Sequence, residues 1–202
     1  MLIIYLCTLH KGAILVYNDS VMETSKKNYF KFSLALVLCL LVRLIPFRVP
    51  NIEPILAITM PLSRAYGALL GFSFAVLSIL FYDLTTGTLG MQTFFTAPAY
   101  GIIGWWSASY FKKHKGKRGE YVRFAIIGTL FFDALTGLTV GPLFFQQSFL
   151  GTLIGQIPFT ALHLTGNIIF AYILSPVIYE ILIKKKKKES TISINILNPK
   201  TI

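Results

Sequence analysis

Long apolar runs separated by short polar segments are the main pattern of this chain. Two of them, Gln92–Phe111 and Phe159–Ile183, contain almost no charged residues. A helix rises ~1.5 Å per residue, so each run is long enough to cross a hydrocarbon layer of ~30 Å. The pattern predicts membrane-spanning helices, which we place at Tyr29–Phe47, Thr93–Phe111, Tyr121–Leu138 and Pro158–Ile183.

Basic residues are concentrated between these runs. The chain has 19 Lys and Arg against 8 Asp and Glu, and most of the basic residues lie at 26–31, 112–118 and 184–188. Cationic segments that flank spans stay in the cytoplasm, where they also meet anionic lipid headgroups. With 54% apolar and 13% charged residues, the composition indicates a protein of the lipid bilayer and argues against a nucleic-acid partner.

The run Ile55–Tyr82 leaves two arrangements open. If the run is one span and residues 142–157 form another, the basic loop 112–118 lies on the opposite side of the membrane from the other two basic clusters. As two spans with a turn near Leu62–Arg64, it leaves all three clusters on one side. The positive-inside rule favours the second arrangement. Its first span, Ile55–Leu62, is much shorter than ~20 residues and therefore requires tilt, burial in protein or a shifted boundary.

The sequence therefore predicts an all-α fold, a six-transmembrane-helix bundle with both termini in the cytoplasm. Residues 26–183 form the membrane domain, and residues 184–202 form a basic cytoplasmic tail. Residues 1–25 are an uncertain N-terminal extension, because Met22 precedes a polar segment typical of the start of a first membrane helix. Residues 142–156, rich in glutamine and glycine, suit a segment that dips into the protein rather than a lipid-facing helix.

In this arrangement the polar residues that are not basic collect on the outer side. Three predicted outer segments, residues 48–54, 83–92 and 138–157, contain most of them. Asp133 and His163, on the last two spans, lie just below these segments. A binding cup open to the exterior is the prediction, with these substrate-binding candidates: Asn51, Glu53, Asp83, Asp133, Gln156, His163 and Asn167.

The role of these residues has two interpretations. A carboxylate at mid-span costs ~2.5–3.5 kcal/mol, so Asp133 requires a partner, which is either a ligand or Arg43. His163 and Asn167 are spaced i, i+4 and share a helix face, where they contact either a ligand or a neighbouring helix.

Motifs of catalysis and metal binding are missing from the sequence. It contains no Gly-x-Ser-x-Gly, no His-Glu-x-x-His and no phosphate-binding loop. A dyad of Ser148 with His163 is the weakest alternative, since the serine lacks flanking glycines. The two cysteines have no metal-site spacing, and we predict neither a metal nor a cofactor.

Small residues spaced four apart permit close helix contacts. Gly67, Gly71 and Ala75 suit packing within the bundle. Ala35 and Cys39, on the first span, are candidates for docking another membrane subunit.

Five segments form a further pattern: Arg43–Ile55, Gly67–Gly71, Tyr82–Asp83, Ala97–Gly104 and Gly155–Asn167. Together they resemble the substrate-binding S components of energy-coupling-factor (ECF) transporters. The resemblance implies a six-helix bundle that captures a vitamin or similar nutrient from outside. It also implies a membrane coupling subunit driven by two cytosolic ATPases, docked on an Ala-x-x-x-Ala pattern for which Ala35-x-x-x-Cys39 is the nearest match.

The leading expectation is thus a nutrient-binding membrane subunit without catalysis of its own, located in the cell membrane. A membrane structural or assembly protein without a small-molecule ligand is the first alternative. An intramembrane enzyme is the second.

Overall fold

The structure is a computed structural model that describes residues 29–46 and 51–197, with side chains at all of these except 145 and 183–197. The predicted extension at 1–25 lies outside the described residues. The described part is all-helical, which confirms the predicted class. Ala35–Ile183 form one unit, which contains everything discussed below, and residues 29–34 and 184–197 belong to a second. The helices are α1 (residues 29–43), α2 (Ile55–Tyr66), α3 (Ala68–Thr86), α4 (Met91–Lys112), α5 (Arg118–Phe145) and α6 (Phe149–Leu197).

Three of these helices, rather than the six predicted, are long and apolar enough to cross a membrane within the described residues. The stretches that meet this criterion are Ala68–Thr86, Arg118–Phe144 and Phe149–Leu182. The helix α4 has sufficient length, 22 residues, but its tyrosines, tryptophans, serines and glycines make it less apolar. The helix α2 has only 12 residues, or ~18 Å at the usual rise.

The short helix α2 is surrounded by protein. All residues from Ile55 to Ser63 are buried, and α2 packs against α3, α4 and α5. The two-helix arrangement of the run Ile55–Tyr82 is therefore the one observed, and burial in protein accounts for the short helix. The break lies at Gly67 rather than at Leu62–Arg64, because Gly67 has φ 99°, which residues with a side chain rarely adopt.

A proline lies inside α2 without ending it. Pro61 has no N–H to donate, so the carbonyl of Ala57, four residues earlier, loses its helical partner. The hydroxyl of Ser175 on α6 donates to this carbonyl instead, at 2.8 Å. The side-chain donor satisfies the freed acceptor and joins α2 to α6 at the same point.

Glycines let α2, α3 and α4 approach closely. A Cβ on Gly104 would lie 2.5 Å from the carbonyl oxygen of Gly71, which leaves no room for a side chain. The hydroxyl of Ser63 donates to the Gly104 carbonyl at 2.8 Å, so the three helices meet at one contact. The packing role predicted for Gly71 agrees with this contact, whereas Gly67 forms the turn.

The segment predicted to dip into the protein is instead the end of α5 and the beginning of α6. Pro142 lies within α5, and α6 begins at Phe149. Gln146 has φ 52° and ends α5 in the left-handed conformation. Ser148 caps the start of α6, because its hydroxyl accepts a hydrogen bond from the Gly151 N–H at 3.1 Å. The glycines are compatible with helix here because the side-chain cap offsets part of their low propensity, and glutamine is itself a good helix former.

Arg64 joins four segments at one end of the unit. Its guanidinium lies 3.7 Å from the ring centroid of Tyr179 on α6 and donates to the Tyr121 hydroxyl on α5 at 3.1 Å. It also donates to the carbonyl of Lys115 in the loop between α4 and α5. The end of α2 and the basic loop 112–118 therefore lie together, as the adopted arrangement predicts.

We expect Gly104→Ala to destabilise the protein by about 1–3 kcal/mol, since its methyl group overlaps the Gly71 backbone. The matched control is Gly119→Ala, where an added Cβ meets nothing within 4 Å. The control should be neutral, or stabilising by less than about 1 kcal/mol. Thermal unfolding of both variants in detergent measures the difference, and equal unfolding temperatures would contradict the close contact.

Candidate functional site

The candidate site is a chain of buried polar side chains that begins at Arg43, at the end of α1. The Arg43 Nε lies 2.6 Å from Oε2 of Glu53, and its Nη1 donates to the Ser78 carbonyl of α3 at 2.7 Å. The guanidinium also lies 3.8 Å from the ring centroid of Tyr82. The ion pair joins α1 to the segment 51–54, and the carbonyl and the ring fix its position against α3.

The segment 51–54, predicted as part of an outer loop, is a loop that lies partly buried against α6. Asn51 has φ 63°, a left-handed conformation that asparagine tolerates better than most residues. Ile52 then lies against α6, where a Cβ on Gly166 would be 3.0 Å from the Ile52 Cα. This close approach carries the Glu53 side chain inward, and only 13% of it is exposed.

Tyr100 continues the chain from Glu53 to His163. The Tyr100 hydroxyl lies 3.5 Å from Oε1 of Glu53 and 3.1 Å from Nε2 of His163. The other ring nitrogen of His163, Nδ1, lies 2.8 Å from Oδ1 of Asp133. Tyr100, His163 and Asp133 are all buried, so these contacts act in a medium of low dielectric constant.

A second contact between α5 and α6 lies one helical turn away. Asn167 Nδ2 donates to the Thr129 hydroxyl at 2.8 Å. Thr129 and Asp133 are spaced i, i+4 on α5, as His163 and Asn167 are on α6, so the antiparallel helices are joined at two successive turns. Asp133 Oδ2 and Asn167 Oδ1 are buried and have no hydrogen-bond partner in the described part of the chain.

A cavity of about 570 Å³ lies between the end of α5 and the beginning of α6. It is lined by glycines, amides and hydroxyls, and none of the lining residues is charged. Gln156 forms part of its wall and lies against α5, because a Cβ on Gly137 would be 2.2 Å from the Gln156 Oε1. Gly137 is one helical turn beyond Asp133, which places the cavity next to the polar chain. The lining residues are Gly137, Gly141, Gln147, Ser148, Gly151, Thr152, Gly155 and Gln156.

Four of the seven predicted substrate-binding residues belong to the polar chain or the adjoining turn: Glu53, Asp133, His163 and Asn167. Gln156 lines the cavity, and Asn51 forms the turn that leads to Glu53. Asp83 lies apart from them. It accepts hydrogen bonds from the hydroxyls of Thr93, at 2.6 Å, and Thr88, at 3.5 Å, which tie α3 to the start of α4.

Two pairings considered from the sequence are wrong. Arg43 pairs with Glu53, and Asp133 contacts His163 instead. The dyad of Ser148 with His163 is not formed, because both ring nitrogens of His163 are engaged elsewhere. Ser148 also precedes His163 by about four helical turns, or ~22 Å along α6.

The predicted docking pair on α1 is also corrected in part. Cys39 is 1% exposed and therefore unavailable to a partner, while Ala35 is half-buried. Cys39 packs inward because it lies one turn before the buried Arg43. The exposed face of α1 instead presents Val37, Leu38 and Leu41.

Three residues of the site were not among the predicted ones. Arg43 was considered only as a partner of Asp133, and Tyr100 was not among the substrate-binding candidates. The third residue is Thr129. Its i, i+4 spacing with Asp133 repeats that of His163 with Asn167, and this repeated spacing could have indicated a paired contact between the two helices.

Comparison of the chain with models of known protein families, with curated proteins and with solved structures gives no match. The likeness to ECF substrate-binding components therefore rests on the sequence motifs alone.

We expect Arg43→Met to destabilise the protein by about 3–5 kcal/mol, because it leaves the Glu53 carboxylate buried without its cation. The double variant Arg43→Met with Glu53→Gln should recover a large part of this loss, since neither member of the ion pair then leaves a buried charge without its partner. Arg123→Met, at an exposed position, is the control. Thermal unfolding in detergent measures all three, and additive losses in the double variant would contradict the ion pair.

Proposed function

We propose that this protein is a membrane-embedded substrate-binding subunit that captures a small polar solute, a vitamin or similar nutrient, for uptake. One observation carries the proposal: the cavity between α5 and α6 begins one helical turn from Asp133, whose buried Oδ2 has no hydrogen-bond donor among the described residues. Buried polar groups in proteins are nearly always hydrogen-bonded, so unpaired acceptors beside a cavity favour a ligand that supplies donors.

The cavity suits binding of a small molecule. Its volume, about 570 Å³, falls within the usual range of ~300–1,000 Å³ for ligand sites. Glycines in its wall expose backbone and allow a flat ring to approach, while Gln147 and Gln156 offer both donors and acceptors. A solute with a planar part and several hydrogen-bonding groups would fit this lining.

The orientation in the membrane is part of the proposal. The basic loop 112–118 lies at the Arg64 end of the unit, and the positive-inside rule favours the cytoplasm for it. The helix α5 runs about 20 residues from Tyr121 to Gly141, or ~30 Å, the thickness of a hydrocarbon layer. The cavity at the far end would then open to the exterior, as capture from outside requires.

Uptake would depend on partners. The resemblance supports a membrane coupling subunit and two cytosolic ATPases as the source of energy. The exposed apolar face of α1 is the surface we assign to the coupling subunit, in place of the predicted Ala35 and Cys39 pair.

A structural or assembly protein is the second candidate function. The observation that favours it is the internal pairing of Arg43, Glu53, Tyr100, His163 and Asp133, which joins elements of the bundle without a ligand. A small molecule that remains bound through purification would decide between the two.

We expect native mass spectrometry of the purified protein to show a bound small molecule, and Gly155→Trp to lose it. A Cβ on Gly155 meets nothing within 4 Å, so the indole would enter the cavity without displacing backbone. Gly119→Trp, equally open but at the other end of α5, should keep the molecule. Absence of a small molecule from the unaltered protein, or equal occupancy in both variants, would argue for the structural role.

We also expect Lys115 to stay unlabelled when intact cells are treated with a membrane-impermeant amine reagent. Opened membranes should allow labelling, because the loop 112–118 would face the cytoplasm. Mass spectrometry of the modified peptides reads the result. Labelling on intact cells would reverse the orientation and remove the proposed access from outside.

A further inference from the structure

We infer that the basic end of α5 binds the headgroup of an anionic phospholipid, with Arg118 as its central contact. This site lies at the opposite end of α5 from the solute cavity and is independent of the proposed function. From Lys112 to Arg123 the chain carries six lysines and arginines against one carboxylate, Glu120. All six cationic side chains are exposed. A surface with this excess of positive charge attracts the phosphate groups of anionic lipids.

The one carboxylate of this stretch is engaged by the backbone. Glu120 Oε2 accepts a hydrogen bond from the Lys117 N–H at 2.7 Å, which caps the start of α5. Among the described residues, no carboxylate forms an ion pair with any of the six cations. The start of α5 adds the positive end of the helix dipole. The positive charge at this surface is therefore available to an anionic ligand.

Arg64 adds a further positive charge beneath the loop 112–118 and holds the loop in place. Its partners are neutral groups, the Tyr179 ring, the Tyr121 hydroxyl and the Lys115 carbonyl. Gly116, at φ 71°, turns the loop over the guanidinium, and a side chain there would have no room. The loop is thus fixed against the bundle, and a preorganised surface loses less conformational entropy when a ligand binds.

Arg118 reaches from the start of α5 to α6. Its guanidinium lies 5.1 Å from the ring centroid of Tyr172, and its N–H groups bond no acceptor among the described residues. Tyr172 is about half exposed, as are Ile169 and Ile173 on the same face of α6. The cation therefore lies beside an exposed apolar face. A phospholipid matches both parts, with its phosphate on the arginine and an acyl chain along the isoleucines.

The depth of Arg118 in the membrane agrees with a headgroup contact. With Tyr121 to Gly141 crossing a hydrocarbon layer of ~30 Å, Arg118 lies about one helical turn beyond that layer, where lipid phosphates are found. The planar guanidinium offers two parallel N–H donors to a pair of phosphate oxygens. A soluble anion would use this charge but not the apolar face, so a membrane lipid is the ligand that fits the whole surface.

The test compares phosphatidylglycerol with phosphatidylcholine of the same acyl chains, each added to the purified protein in detergent. We expect the anionic lipid, in excess over its Kd, to raise Tm by about 2–4 °C above the value with the zwitterionic lipid. Native mass spectrometry should show bound phosphatidylglycerol in preference to phosphatidylcholine. Sodium phosphate at the same concentration should have little effect, because it has no acyl chain for the apolar face.

Two arginine variants locate the effect. Arg118→Gln should weaken phosphatidylglycerol binding in native mass spectrometry roughly fivefold and reduce the Tm difference between the two lipids. Arg123→Gln removes the same charge from an equally exposed position and should keep both. Five residues separate the two arginines, so they project from sides of α5 that differ by ~140°. Both side chains are exposed, and we expect both variants to fold.

Several results would overturn the lipid site. Equal Tm shifts with the two lipids, or equal losses in Arg118→Gln and Arg123→Gln, would mean a general attraction of cations rather than a site at Arg118. An equal shift with sodium phosphate would assign the surface to a soluble anion. Absence of bound phosphatidylglycerol would leave the cations to solvent or to an acidic protein. The solute cavity is tested separately, by loss of the co-purified molecule in Gly155→Trp.

Discussion

The pairing of buried charges away from water is the constraint on which this arrangement depends. An unpaired carboxylate or guanidinium in an apolar interior costs several kcal/mol, roughly the whole stability of a small domain. The ion pair of Arg43 with Glu53 therefore holds together the end of α1, the segment 51–54 and α3. Tyr100 and His163 extend the same pairing to α5 through Asp133.

The buried helix α2 provides the framework for that pairing. It is too short to cross a bilayer, and it starts where the segment 51–54 has entered the bundle. Two contacts hold it in place, the Ser175 hydroxyl on the carbonyl freed by Pro61 and the glycine contact of α3 with α4 beside Ser63. Glu53, directly before it, is consequently level with Tyr100 and His163 rather than at a surface.

The helical class and most polar positions of the site could be predicted from the sequence, because long apolar runs and isolated charges within them have few physical explanations. The partners of those charges could not. Asp133 has His163 rather than Arg43 as its partner only because the segment 51–54 turns inward at Asn51 and brings Glu53 to Arg43. The cavity was missed for a similar reason: residues 141–145 and 149–157 are helical, and their glycines line a space instead of forming a loop.

The contacts of Arg64 make the two ends of the α5–α6 pair mechanically unequal. At one end, a single guanidinium holds Tyr121, Tyr179 and the loop at Lys115. At the other, Gln156 and Thr152 of α6 lie against Gly137 and Gly141 of α5 beside the cavity. One end of the α5–α6 pair is therefore joined by the hydrogen bonds and ring contact of a single cation, whereas the other depends on contacts of side chains with glycine backbone.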